Sequence, residues 1–284
     1  MVNDTHAEKL ERMGEYLRSK RRIAVAFSGG VDSTFVLKVA VDVLGAENVL
    51  AVTGVSGSVS AAELSDAKSL AVQIGAAHLL IEPGEFEDPN YLANPTNRCY
   101  FCKTALYSRM KDAIGPRGFE AIVNGTNLDD LGEHRPGLVA AEEFGVGSPC
   151  VVAELRKSEI RSLSQSLGLP THDKPASPCL SSRVQYGEAI TPEKLKMIER
   201  AEAILRDMGI RECRVRHHGP LARIEVPAVW IERLAAPETR GRIDAAFRAI
   251  GYQYVAVDLR GFRSGSLNEV IAFGKRQASG VNGT

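Results

Sequence analysis

Ser28-Gly29-Gly30-Val31-Asp32-Ser33 sets small, hydroxyl and carboxylate residues in an order that suits phosphate chemistry. Two adjacent glycines let the backbone turn tightly and approach an anion, because no Cβ stands in the way. Ser28, Ser33 and Thr34 add hydroxyl donors, and Asp32 can hold a magnesium ion against phosphate oxygens. The hexad follows an apolar run, Ile23 to Phe27, that reads as a buried parallel strand. It leads into Thr34 to Val41, which reads as a mostly buried helix ending near Gly45. A helix starting there directs unpaired N–H groups and its positive dipole end at the anion. Such a site suits a pyrophosphate. No Lys follows the second glycine, which separates it from the phosphate loop of kinases and GTPases, and it lacks the spacing of a dinucleotide fingerprint.

A second constellation is built from sulfur. Cys99-Tyr100-Phe101-Cys102 opens an expected helix, and Cys179 lies in Ser177-Pro178-Cys179-Leu180-Ser181-Ser182-Arg183. The five cysteines (99, 102, 150, 179 and 213) are an odd number, which argues against a disulfide framework. Three thiolates suit a [4Fe–4S] cluster whose fourth iron stays open to carry an extra sulfide. Structural zinc needs four closed ligands, with His172 the nearby candidate for the fourth. A redox or persulfide pair, or two buried thiols, are the remaining readings. Cys150 sits in an apolar, strand-like run and Cys213 in a strand, and both are expected in the core. His217 and His218 are adjacent on a strand and face opposite ways, so they cannot share a ligand.

The elements that must position these groups alternate. Strands are expected at 49–53, 78–81 and 121–124, and helices at 60–75, opened by the capping box of Ser60 and Glu63, at 99–114 and at 157–167. This order predicts an α/β fold with a doubly wound parallel sheet, ligands lying at the carboxyl ends of its strands. Residues 82–98 read as a long functional loop. From Thr191 the pattern changes to helix (192–208), strands (212–218 and 221–226), helix (238–250) and strand (253–259). The expected division is a phosphate-loop domain at 1–187 and a smaller α+β C-terminal domain at 188–284, serving substrate binding or oligomerisation. Ser279 to Thr284 reads as a frayed tail.

Composition sets outer bounds. The 284 residues are 44% hydrophobic and 25% charged, ordinary for a globular protein. No apolar stretch is long enough to span a membrane, and the polar, helical first twenty residues do not read as a secretory signal, so a cytoplasmic enzyme is expected. Thirty-five basic residues balance thirty-five acidic ones, which argues against a nucleic-acid partner.

The Ser28–Ser33 loop resembles that of the ATP pyrophosphatases, the superfamily of GMP synthetase, NAD synthetase and the tRNA thiolases. Further motifs narrow the resemblance: Asn97 to Lys103, Gly125-Thr126-Asn127-Leu128-Asp129-Asp130, Arg135-Pro136-Gly137, Lys174 to Arg183, and Gly261 to Ser266 follow in this order. Over nearly its whole length the chain is similar to the LarE family, ATP-dependent sulfur transferases that make the nickel-pincer nucleotide cofactor of lactate racemase.

The resemblance implies that ATP adenylates a carboxylate of pyridinium-3,5-biscarboxylic acid mononucleotide and that sulfur then displaces AMP to give a thiocarboxylate. ATP and Mg²⁺ are the implied cofactors, held by Ser28, Gly29, Gly30, Asp32, Ser33, Thr34, Gly125 and Thr126, with Asp129 or Asp130 helping to hold the metal or ribose. One branch of the family sacrifices the cysteine matching Cys179, and another carries three cysteines and a [4Fe–4S] cluster. Cys99, Cys102 and Cys179 together imply the cluster branch, supplied by sulfide or another sulfur donor, in a homo-oligomer. Asp32, Ser33 and Cys179 are the expected catalytic residues. Arg135, Arg183, Arg214, Arg216 and Arg263 are candidates for the anionic substrate, since guanidinium grips such groups at two points. A cluster-dependent tRNA thiolase, an ammonia-using amide synthetase and a non-catalytic nucleotide-binding module are the rival readings. The first would bind RNA with strong salt dependence, and the other two leave the cysteines without a task.

Overall fold

The computed structural model describes residues 5–132, 135–263 and 265–269. The expected tail at 279–284 and Ser264 of the Gly261–Ser266 motif lie outside them. The chain divides into two compact units, 5–91 with 97–177, and 92–96 with 178–269, taken over the described residues. The division falls at Ser177–Pro178, earlier than the 187 expected from sequence. The reason is local: Asn94 donates from Nδ2 to the carbonyls of Gln185 (2.8 Å) and Glu188 (3.1 Å), so the strip around 185–190 folds with the second unit.

In the first unit, helix α1 (His6–Lys20), opened by the Thr5–Glu8 capping box, precedes β1 (Ile23–Ala26) and α2 (Val31–Leu44). Then come β2 (Val49–Gly54), α3 (Ala61–Ile74), β3 (Ala77–Ile81) and the single turn α4 (Pro89–Leu92), at the junction of the units. The unit closes with α5 (Arg98–Ile114), β4 (Ala121–Val123), α6 (Pro136–Glu143), α7 (Pro149–Val152) and α8 (Lys157–Ser166). The strands form a parallel sheet in the order β3-β2-β1-β4, with Ile23 opposite both Val49 and Ala121.

Alternation along the strands puts a core on each face. Ile23, Val25 and Ala51 join Met13, Phe35 and Ile160 on one side, while Ala24, Leu50 and Ile122 join Tyr107, Met110 and Ala140 on the other. Helices therefore cover both faces, as the continuous apolar strands require. The chain steps from β1 to β2 in one direction and to β4 in the other. The carboxyl ends of β1 and β4 thus flank the switch point where such sheets bind ligands.

The second unit holds α9 (Pro192–Asp207), β5 (Arg214–His218), β6 (Leu221–Glu225), α10 (Ile231–Ala235), α11 (Pro237–Ile250) and β7 (Tyr254–Val257). β5 and β6 pair antiparallel and β6 and β7 parallel, giving the expected α+β architecture. Leu205, Val215, Ile224, Ile243 and Phe247 form its core. Two local readings need correction. Cys150 lies on the helical turn α7 rather than on a strand, because Pro149 starts a turn in which Ala153 N–H reaches the Pro149 carbonyl. Cys213 precedes β5 instead of lying in it. Both thiols are buried, as expected of core positions. Burial pushes the Cys150 thiol well up, with Asp32 adding to it, and pushes the Cys213 thiol up to about 12.

Candidate active site

The Ser28–Ser33 loop connects β1 to α2 at the carboxyl edge of the sheet. Gly29 takes φ +69°, and a Cβ there would meet the Ala67 Cα at 3.1 Å, so position and conformation both call for glycine. Gly30 is the N-cap of α2 and offers no side chain to the first amides of the helix, which stay available to an anion. Hydroxyls stitch the turn together: Ser28 N–H donates to Ser33 Oγ (3.2 Å), the two hydroxyls stand 3.1 Å apart, and Ser33 Oγ donates to the Gly30 carbonyl (3.3 Å). Thr34 is buried, and its Oγ1 has no hydrogen-bond partner among the described residues.

Gly125 follows β4 and faces this loop. A Cβ on it would stand 2.8 Å from Ser33 N and 2.9 Å from Asp32 Cβ, closer than real packing tolerates. The backbone of one switch-point loop thus lies directly against the other. Thr126 N–H donates to Asn124 Oδ1 (3.0 Å), which shapes the turn after β4.

Asp32 is the centre of charge. Its Oδ1 accepts from Asn127 Nδ2 (3.4 Å), and its Oδ2 is salt-bridged to Lys157 Nζ. Asp129 accepts from the backbone N–H of Lys157 (2.8 Å) and from Arg156 (2.8 Å). Its carboxyl is held below the usual range, first by the Lys157 backbone N–H and then by Arg156. Asp129 therefore anchors the start of α8, the element that carries Lys157. Arg135 pairs with Asp130 at 2.8 Å. Lys174 donates to the Gly29 carbonyl (3.2 Å) and to Asp66 (2.9 Å), bracing the loop from outside.

Neither Asn127, as hydrogen-bond donor, nor Lys157, as charge partner, is expected at Asp32 from sequence. Asn127 belongs to a motif already singled out. Lys157 is an unremarkable first residue of an amphipathic helix, brought to Asp32 from 125 positions away.

The sulfur residues divide between the units. Cys99 and Cys102 lie near the start of α5, three residues apart on one helical face, with Cys99 exposed and Cys102 half-buried. Cys179 belongs to the second unit, as N-cap of a short 3₁₀ turn, Leu180–Arg183. Among the described residues, no group of three His, Cys, Asp or Glu side chains is arranged to hold a metal. His172, the zinc alternative, has Nδ1 3.0 Å from the Leu169 carbonyl.

The candidate substrate arginines of the second unit are well partnered. Arg183 pairs with Glu202 (2.8 Å) and donates to the carbonyls of Pro178 and Cys179. Arg216 binds Glu225 (2.8 Å), Ser266 (2.7 Å) and the Ser182 carbonyl (2.8 Å). Arg214 donates to the Cys213 carbonyl (2.7 Å) and lies over the Phe262 ring. Arg263 pairs with Glu269 (3.0 Å), and that hydrogen bond raises its pKa. Arg183 and Arg216 thus hold the carbonyls of the Cys179 segment, at Pro178, Cys179 and Ser182.

Comparison with known proteins agrees with this arrangement. A family model described as NAD synthase matches residues 8–87, the stretch that contains the phosphate loop. The chain is 46% identical over 263 residues to an uncharacterized protein of Synechocystis sp., covering 93% of this chain and 98% of that one. It is 28% identical over 260 residues to an uncharacterized protein of Methanocaldococcus jannaschii, covering 90% and 98%. It is also 37% identical over 267 residues to the pyridinium-3,5-bisthiocarboxylic acid mononucleotide synthase of Lactiplantibacillus plantarum, covering 94% of this chain and 96% of that enzyme. An identity of this level, running through both units and carried by a nucleotide loop at a parallel-sheet switch point, means that the chain belongs to the LarE family.

Proposed function

We propose that the protein is an ATP-dependent sulfurtransferase that converts pyridinium-3,5-biscarboxylic acid mononucleotide to its thiocarboxylate. A carboxylate oxygen of the substrate attacks the α-phosphorus of ATP and pyrophosphate leaves, giving an acyl adenylate. Sulfur then bonds to the acyl carbon, and AMP leaves with the original carboxylate oxygen. The observation that carries this reading is the phosphate loop with Asp32 at the switch point of the first unit.

The chain's own groups have distinct tasks. The loop amides and the start of α2 grip the phosphates, and Ser28 and Ser33 hold the loop in its turn. Asp32 and the orphaned Thr34 hydroxyl suit an oxygen-seeking cation, so these residues would hold Mg²⁺. Magnesium supplies neutralisation of phosphate charge. Thr126 and Asp129 shape the facing loop. Arg135 and Arg263, the more exposed of the candidate arginines, are the proposed sources of positive charge for the substrate's carboxylates and phosphate, whereas Arg183, Arg214 and Arg216 are buried and engaged within the second unit.

For the sulfur step we favour the cluster branch. Two thiols one helical turn apart at a helix start are suited to sharing one metal group, and on the family resemblance Cys179 would be the third ligand. A [4Fe–4S] cluster on these residues would supply an iron site for sulfide, with sulfide as the consumed co-reactant. A sacrificial Cys179 would instead be converted to dehydroalanine and stop after one turnover. Protein purified without oxygen and supplied with ATP, Mg²⁺, substrate and sulfide should form AMP and thiocarboxylate repeatedly at unchanged protein mass. A single turnover with loss of the elements of H₂S from the chain would establish the sacrificial route. Cytoplasmic location and homo-oligomeric assembly complete the proposal.

A further inference from the structure

Lys157 stands outside the phosphate loop, yet its ammonium occupies the place on Asp32 that a metal ion would need. Both Asp32 oxygens are engaged, Oδ1 by Asn127 at 3.4 Å and Oδ2 by Lys157. The pair lies at the edge of the protein, with 24% of the Asp32 and 34% of the Lys157 side chain exposed, so solutes reach it. The lysine is also held in position. Its backbone N–H is fixed by Asp129 at 2.8 Å, and its helix is anchored through Ile160 and Leu163 in the core.

Two cations cannot share one carboxylate closely without strong repulsion. A free divalent ion approaching Asp32 must therefore displace the ammonium, and the loop's own amides and hydroxyls offer the lysine no second carboxylate in exchange. Bound nucleotide changes that balance, because a triphosphate brings enough negative charge for both cations. We propose that Lys157 is a stand-in cation: it keeps free Mg²⁺ off Asp32 until nucleotide arrives, then turns its charge to the phosphates. This inference rests on the nucleotide reading of the loop, and it makes metal binding at Asp32 conditional on ATP.

The test is Mn²⁺ binding to the nucleotide-free protein, followed by electron paramagnetic resonance of the unbound ion. Wild-type protein should bind weakly, and Lys157→Gln should bind about tenfold more tightly or better. Adding Asp32→Asn to that variant should abolish the gain, which locates the ion. Lys157→Arg, which keeps the charge, should stay as weak as wild type. Equal affinity of Lys157→Gln and wild type would overturn the proposal, as would a gain that survives Asp32→Asn or tight binding by Lys157→Arg. Wild-type protein that forms no AMP from Mg–ATP and substrate would instead remove the functional reading, and the Mn²⁺ comparison would report on Lys157 regardless.

Discussion

Arg183 and Glu202 form a two-point ion pair, Nε to Oε1 at 2.8 Å and Nη2 to Oε2 at 3.0 Å, with 2% and 1% of their side chains exposed. The remaining nitrogen of the same guanidinium donates to the Cys179 carbonyl at 3.0 Å, and Glu202 accepts from the Val215 N–H at 3.1 Å. One buried pair thus ties the Cys179 segment to α9 and β5. Removing Arg183 strips buried Glu202 of its two-point partner and leaves it the longer Arg206 contact, at 3.4 Å. Arg183→Met should cost about 3–5 kcal/mol, read by urea unfolding. Arg183→Lys should not recover the loss, since a point charge cannot make the two-point contact.

The same pair sets an acid limit. Burial pushes the Glu202 carboxyl up, but Arg183, the Val215 N–H and Arg214 outweigh it and hold the group below its ordinary value. A depressed folded pKa gives stability that is complete above the unfolded value of about 4.3 and is lost as pH falls through the folded value. The unfolding free energy should therefore drop on acidification below about pH 4.3. Glu202→Gln should be less stable at neutral pH and show a flatter acid limb. An unchanged slope would show that other carboxyls govern it.

Gly125→Ala should harm activity more than stability. The added methyl meets Ser33 N at 2.8 Å and Asp32 Cβ at 2.9 Å, so the phosphate loop must shift. Overpacking of this kind costs about 1–3 kcal/mol. AMP formation should fall by a larger factor than thermal stability implies, and proportionate losses in both would argue against a loop displacement.

Asp32→Asn should abolish most Mg²⁺-dependent AMP formation while the protein stays folded by circular dichroism. Unchanged turnover would remove Asp32 from the metal site.

Iron content separates the cysteines. Anaerobically reconstituted protein should carry about four irons per chain and lose them on Cys99→Ala, Cys102→Ala or Cys179→Ala. Cys150→Ala and Cys213→Ala should keep their iron, because both thiols lie in apolar cores. Full iron in Cys99→Ala protein would contradict the cluster.

Much of the first unit was legible because its signals are local. An apolar strand, two glycines and an apolar helix specify β1, the loop and α2 without reference to distant residues, and the Ser60 cap and Gly75 stop bound α3. Pro149 misled in the other direction, since Val151 and Val152 favour strands but follow a proline that starts a helical turn. The unit boundary was misplaced because the hydrogen bonds of Asn94 to residues 185–188 have no signature in a linear pattern. Lys157 was invisible for the same reason. The arginines on β5 were legible as candidates for an anion, but their engagement with Glu202, Glu225 and Ser266 depends on tertiary contacts.

The central claim is most directly tested by a single reaction. Purified protein is given ATP, Mg²⁺, sulfide and pyridinium-3,5-biscarboxylic acid mononucleotide, and the products are resolved by mass spectrometry. AMP and pyrophosphate should form together with a substrate in which sulfur has replaced a carboxylate oxygen. ADP and phosphate, or AMP without any sulfur in the substrate, would contradict it.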